Sequence, residues 1–312
     1  MSATSPQNIT RRAVGDNVWL ARGETGDSDY LASLPTYELS YEVLPSEDAV
    51  GLAMLNELQS AGDAKDGSLV IILLGGRGAQ ALHRLLGRMA ASNEHDALLG
   101  RLHVFTQDAL APLRLDNRLS FVRDFERLLG QEFFHKVKSF TCMQTDADDL
   151  EGELAAYVQR LEALGGIDIF FLGLGPEAGG ASHLAYIKPN SGATYKDVAG
   201  MIPISESILE HHITKFKAGG TVVSEVDETE CRAAKHILTL GPAAILGARR
   251  IVQSIVDAST APAKRESYRK VLTTELSDDG ATRASQLDQN PGLWLRLHSN
   301  VRSLILQDVL EN

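Results

Sequence analysis

The chain has 312 residues, 44% of them hydrophobic, enough for one large domain or two small ones. Its formal charge of −11 at pH 7 argues against a general binder of nucleic acid or of membrane surfaces, which repel acidic proteins, and leaves open a local basic pocket for a small anion. Cys142 and Cys231, the only cysteines, make no disulfide framework and lack the neighbours of a zinc site; no apolar run approaches the length needed to span a bilayer.

The opening stretch MSATSPQNITRRAV lacks the apolar core of a secretory signal, so a reducing cytoplasm is the expected compartment. Residues 1 to about 40 show little periodicity and are rich in Ser, Thr, Gly and Asp. They read as an N-terminal extension packed loosely on the main domain. From Ser46 the pattern becomes regular. Ser46 is placed to cap a helix whose first turn holds Glu47 and Asp48 and whose apolar residues include Val50, Leu52, Met54, Leu55 and Leu58. SLVIILL (68–74) reads as a buried strand, and AQALHRLLGRMAAS as the helix after it. RLHVFT (101–106) predicts a strand, FVRDFERLLGQEFF a helix, KSFTCM an extended segment, and residues 147–164 a helix with Leu150, Leu154, Tyr157, Val158 and Leu161 on one face. IDIFFLG is the clearest buried strand. HILTL (236–240) and IVQSIV (251–256) suggest two more, with the helical PAAILGARR between them, and LWLRL near the end suggests a last one.

Strands alternating with helices predict one α/β domain over residues 41–312, a doubly wound, mostly parallel sheet with helices on both faces. In such folds a ligand lies at the carboxyl ends of the strands. Three strand exits carry unusual chemistry. The first is Gly75-Gly76-Arg77-Gly78, where glycines let backbone N–H groups approach an anion and Arg77 offers a forked donor pair. The plainer reading is a tight turn with a solvated arginine; the motif lacks the Lys-Ser/Thr ending of a Walker loop. The second is Asp108, a candidate general base just past a strand, or else a turn aspartate. The third is GLGPEAGGASHLAYIKP (173–189), which places Glu177, His183 and Lys188 around a glycine-rich exit. A lone histidine is usually structural, but one at such an exit suits acid–base work. Downstream, STAPAKRESYRK presents Lys264 at a helix start, for a phosphate or merely for solvent.

In their order these segments resemble the glucosamine-6-phosphate deaminase/6-phosphogluconolactonase family, from about residue 46 onward. Gly75-Gly76 resembles the family's phosphate-binding Gly-Gly loop. Asp108 falls on the Asp of an Asp-Glu pair. Gly173, Gly175, Pro176 and His183 match its G-x-G-(N/P)-D-G-H. QEFFHKV, ILTLGPAAILGARRIV and ASQLDQNP are similar to further family segments, and Lys264 falls on a phosphate-binding lysine.

The resemblance implies a sugar-phosphate isomerase/deaminase fold, a phosphorylated sugar as ligand, and no cofactor or metal. A homo-oligomer stays open. The resemblance also implies roles: Asp108 moves a proton between C1 and C2 of an open-chain sugar, His183 assists ring opening with Glu177 as its partner, and Gly75, Gly76, Arg77 and Lys264 hold phosphate. The chain departs from the family in that Ala109 replaces the Glu of the pair, Ala181 stands two residues before the histidine, and Lys188 replaces a glutamate. An amine there lowers the imidazole pKa. A deaminase-like enzyme is the first expectation. A 6-phosphogluconolactonase-like hydrolase, or a non-catalytic sugar-phosphate sensor, is the alternative.

Overall fold

The computed structural model describes residues 9–23 and 28–311. An eight-stranded sheet forms its centre. Its path runs Ser40–Leu44, Val301–Leu306, Arg250–Ile255, Ile169–Pro176, Leu69–Leu73, Leu102–Thr106, Ser139–Thr141, and every pair along it is parallel. The short strand Ser182–Leu184 lies off this path, antiparallel to Ile169–Pro176. From Leu69–Leu73 the chain builds outward to one side; from Ile169–Pro176 it builds toward the other. The crevice between those two strands is therefore the switch point, where open α/β sheets leave room for a ligand.

Residues alternate across this sheet. Val70 and Ile72 point to one face, Leu69, Ile71 and Leu73 to the other. Both faces are buried, so these strands read as continuous apolar runs. The helices Glu47–Ala64, Gln80–Ala91 and Phe121–Lys136 cover the second face. Ser46 caps the first of them as expected, its Oγ accepting the Ala49 N–H at 3.2 Å. Among the described residues, no helix is long and apolar enough to cross a membrane.

The first face carries the helix Leu150–Ala163 and something the sequence pattern did not suggest, a second sheet. Five strands, in the order Ile9–Val14, Asn17–Arg22, Asp197–Pro203, His236–Leu240, Asp108–Ala111, pair antiparallel throughout. HILTL is thus a strand, but of this sheet and not of the parallel one. Apolar runs buried on both faces look alike whichever sheet receives them. The N-terminal stretch is likewise woven in, not laid loosely on the surface: Trp19 is fully buried, and its indole N–H donates to Ser191 O at 3.0 Å. Arg12 pairs with the buried carboxylate of Asp197, tying the outer strand to its sheet. Residues 1–8 and 24–27 of the expected extension lie outside the described residues.

LWLRL is not a strand. Pro291–Leu297 forms a 3-10 helix, and the strand is Val301–Leu306. Leu293, Trp294, Leu295 and Leu297 are all buried, so no polar face marks a period, and the run of apolar residues cannot separate the two conformations.

Candidate active site

The strand exits at 73–78, 106–108 and 173–175 meet in one cleft of about 660 Å³, counted to its open mouth. Gly75, Gly76, Arg77, Asp108, His183 and Lys264 all line it. Gly76 turns the chain with φ +74, a conformation that costs glycine little. Glu177 and Lys188 do not line it. Glu177 Oε1 accepts from Ser205 Oγ at 2.7 Å and Ser207 Oγ at 3.0 Å, at the start of the helix Glu206–Ala218. Lys188 Nζ donates to Pro203 O at 2.7 Å.

Asp108 sits where the chain leaves the parallel sheet and enters the antiparallel one. Gln107 bridges the two: its N–H donates to Leu73 O at 2.9 Å, and its carbonyl accepts the Leu240 N–H at 3.1 Å. The Gln107 side-chain amide donates to Asp108 Oδ2. Oδ1 is buried with no hydrogen-bond partner among the described residues. Burial pushes the Asp108 carboxyl up to about 7, against the Gln107 hydrogen bond, which works to lower it. A carboxylate with one unspent oxygen and a pKa near neutrality is the form a general base takes.

The His183 ring packs against Gly175, its partner in the Ile169–Pro176/Ser182–Leu184 pairing. A Cβ at Gly175 would stand 2.1 Å from the ring's Cε1. The ring stacks on Tyr186 at 4.3 Å with 12° between planes. Ala185 and Tyr186 both take left-handed backbone, φ 49 and 59, and the Tyr186 N–H thereby reaches His183 Nδ1 at 3.1 Å. Burial lowers the imidazole to about 3, helped by the positive charge of Lys264, by His211 and by Lys188. The ring is neutral at pH 7. With Nδ1 accepting a backbone N–H, the proton resides on Nε2. Lys188 acts with the sign its positive charge dictates, while burial supplies the largest part of the lowering. Gly175→Ala is expected to force the ring from this seat and cut turnover by about 10²-fold, the cost of misplacing a reacting group by about 1 Å. Unchanged kcat in that variant would remove His183 from the chemistry.

Three cations also line the cleft. Arg77 Nε and Nη2 donate to Glu47 Oε1 at 3.0 and 2.7 Å. Lys264 pairs with Asp257 Oδ1 at 2.5 Å. Lys215, from the helix Glu206–Ala218, pairs with Asp257 Oδ2 at 2.9 Å. Burial raises the Asp257 carboxyl, but the two lysines outweigh it and hold the group below its usual range. The sequence reading missed Lys215, His211 and Asp257, all of which line the cleft. The signal present was EHHITK, which sets His211 and Lys215 four residues apart on one helix face. Any amphipathic helix offers such pairs, so only the fold reveals that this face looks inward.

No family model matches the chain. It is 29% identical over 160 residues to glucosamine-6-phosphate deaminase 1 of Bacillus subtilis (strain 168), a match covering 51% of this chain and 53% of that protein. The chain thus spans about half the length of that relative. It is 22% identical over 235 residues to a glucosamine-6-phosphate deaminase of Staphylococcus epidermidis, covering 75% of this chain and 83% of that one. Among solved structures, a monomeric glucosamine-6-phosphate deaminase superposes with a TM-score of 0.67 at 22% identity, covering 87% of this chain and 98% of that chain. The 6-phosphogluconolactonase from Trypanosoma cruzi superposes at 0.61 with 16% identity, covering 90% and 98%. At these identities the structural likeness is one of fold. By sequence the chain is similar to glucosamine-6-phosphate deaminases, and its fold is the one that a glucosamine-6-phosphate deaminase and a 6-phosphogluconolactonase share.

Proposed function

We infer that the chain moves a proton on a phosphorylated sugar, as a glucosamine-6-phosphate deaminase-like enzyme. The observation that carries this reading is Asp108: a buried carboxylate in the cleft, one oxygen unspent, with a pKa near 7. Asp108 takes the proton from C2 of the open-chain sugar and returns it at C1. His183 holds the ring oxygen or the C1 oxygen through its Nε2–H and, being neutral, brings no charge of its own. Gly75, Gly76, Arg77 and Lys264 receive the phosphate, with Lys215 beside them.

The lactonase alternative asks His183 to take a proton from water, which requires an unprotonated ring nitrogen facing the substrate. Nδ1 is already engaged by the Tyr186 N–H, so the Nε2–H tautomer suits hydrogen-bond donation better than water activation. This favours the proton-transfer reading. Glu177 enters neither scheme as a partner of the reacting atoms.

The test is to incubate the protein with glucosamine-6-phosphate in deuterated water. Deuterium at C1 or C2, with ammonia released, is the expected result. Hydrolysis of 6-phosphogluconolactone without exchange supports the lactonase. A sugar phosphate that binds and is recovered unchanged, unlabelled, with no lactone hydrolysis, ends the enzyme reading and leaves the sensor. A second expectation concerns the phosphate: Arg77→Ala weakens binding of a phosphorylated sugar by about 1.5–3 kcal/mol, the scale of a charged hydrogen bond, and barely touches the unphosphorylated sugar. Titration calorimetry with the two ligands decides it; equal losses contradict the role.

A further inference from the structure

Leu184 and Ile187 exchange backbone hydrogen bonds: the Leu184 N–H donates to Ile187 O at 3.1 Å, and the Ile187 N–H to Leu184 O at 2.7 Å. They close a two-residue turn whose central residues, Ala185 and Tyr186, both have positive φ. Turns of this kind favour asparagine and glycine, which reach left-handed backbone at little cost. Alanine and tyrosine are strained there, and such strain persists only where neighbouring groups hold it. The Ala185 N–H lies 3.4 Å from Gly173 O, a long and weak tether. The fully buried Thr239 hydroxyl donates to Ala185 O and is the firmer hold. Its single proton has a second acceptor in Leu240 O at 3.2 Å, the more distant of the two.

The carbonyl that Thr239 grips and the N–H that His183 Nδ1 accepts belong to one peptide group, Ala185–Tyr186. That peptide is trans, so its C=O and N–H point in opposite directions from one rigid plane. Fixing the oxygen end aims the hydrogen end, and a hydrogen bond accepted at C=O strengthens donation at N–H.

Thr239 also stands opposite Asp108 in the pairing of His236–Leu240 with Asp108–Ala111. Residues directly opposite in an antiparallel pair send their side chains to the same face. The hydroxyl beside Asp108 therefore reaches across from the antiparallel sheet to the turn that follows the His183 strand. Resting on the reading of this cleft as a proton-transfer site, we propose that Thr239 is a positioning residue, which ties the peptide that sets the His183 tautomer to the strand that carries Asp108. Without the hydroxyl, Ala185 relaxes out of the left-handed region, the peptide rotates, and the Tyr186 N–H leaves Nδ1. The ring is then free to carry its proton on Nδ1, and Nε2 loses the hydrogen it offers to substrate.

Thr239→Val keeps the branched shape and deletes the donor; Thr239→Ser keeps the donor. Long-range proton–nitrogen correlation spectra of the histidine rings, with His183 assigned by its disappearance in His183→Gln, read the tautomer directly. In wild type, Nδ1 is expected to give the signal of an unprotonated nitrogen and Nε2 that of a protonated one. In Thr239→Val the two signals should move toward each other as the tautomers mix, and in Thr239→Ser they should stay apart. Adding Ala185→Gly to Thr239→Val, which lets the turn form without a tether, should restore part of the separation. With a turned-over sugar phosphate, kcat of Thr239→Val should fall by about tenfold at little change in KM, a share of the cost of misplacing a reacting group. Unchanged His183 signals in Thr239→Val, or signals that move as far in Thr239→Ser, overturn the proposal. If Thr239→Val does not fold, the smaller Thr239→Ala takes its place in the same comparison; failure of both to fold marks Thr239 as a structural residue and also overturns it. The spectra need no substrate, so failure of proton transfer on glucosamine-6-phosphate leaves their result standing, and unchanged signals leave the Asp108 chemistry untouched.

Discussion

Asp108→Asn is expected to lower turnover of a sugar-phosphate substrate by roughly 10²–10⁴-fold, the usual contribution of a positioned acid–base group, while ligand affinity changes little. The amide keeps the shape and the Gln107 contact but cannot accept a proton. The pH profile adds a second signature. Asp108 must be ionised to act, and its pKa is pushed up to about 7, so wild-type activity should climb as pH rises through about 7. Stability should move the opposite way. A carboxyl whose folded pKa lies above its unfolded value of 3.8 contributes stability that is fully present below 3.8 and is lost as pH rises through 7. At pH 8 the folded protein therefore holds an uncompensated buried charge, and Asp108→Asn should be the more stable protein there, by an amount on the order of a few kcal/mol. The gap should shrink toward pH 4. Urea melts of both proteins across that range, set beside steady-state rates, test the two halves separately. A variant that keeps full turnover, or one that shows no pH-dependent stability gap, contradicts the placement of this carboxylate.

The second large effect concerns the N-terminal strands. Trp19→Ala should destabilise the protein by about 3–5 kcal/mol, the range for truncating a large buried aromatic. The indole is fully buried, packs over Gly200 of the neighbouring strand and donates to Ser191 O. The measurement is the shift of the urea midpoint at constant slope. A change within about 0.5 kcal/mol would mean that this segment is a dispensable extension after all, as its composition suggested.

The contrast between Trp19 and Asp108 explains what reading the chain could and could not reach. Central strands such as Leu69–Leu73 and Ile169–Pro176 were legible because both of their faces are buried, which leaves short unbroken apolar runs bounded by glycine. The helix from Glu47 was legible because its cap, Ser46, is a local device that works within four residues. Gly75, Asp108 and His183 were legible as candidates because strand exits in a parallel sheet converge, a rule that needs only the order of the elements. The N-terminal strands were not. Their own hairpin, Ile9–Val14 with Asn17–Arg22, is local, but the strand that takes it into the sheet, Asp197–Pro203, lies far along the chain, and a strand whose partner is remote carries no local mark of that pairing. The same blindness put HILTL in the wrong sheet. LWLRL reads as a strand for another reason, since its apolar residues are all buried and leave no polar face to mark a period.

Within the cleft the division is the same. Sequence alone determined which residue types stand at the strand exits, and thereby the kind of chemistry on offer: a carboxylate, an imidazole, glycines and cations. It also determined the sign of the effect of Lys188 on His183. Tertiary structure decided what each group is able to do. It buried Asp108 and left one of its oxygens unspent, which sets the pKa near 7; no spacing of residues encodes desolvation. It fixed the tautomer of His183 through two left-handed residues that follow it. It gave the Glu177 carboxylate to Ser205 and Ser207, and turned Lys215 and Asp257 toward a lysine that the sequence had offered to phosphate. Periodicity and capping act over a few residues and survive in one dimension. Charge pairing and burial depend on distance through space, and distance exists only once the chain has folded.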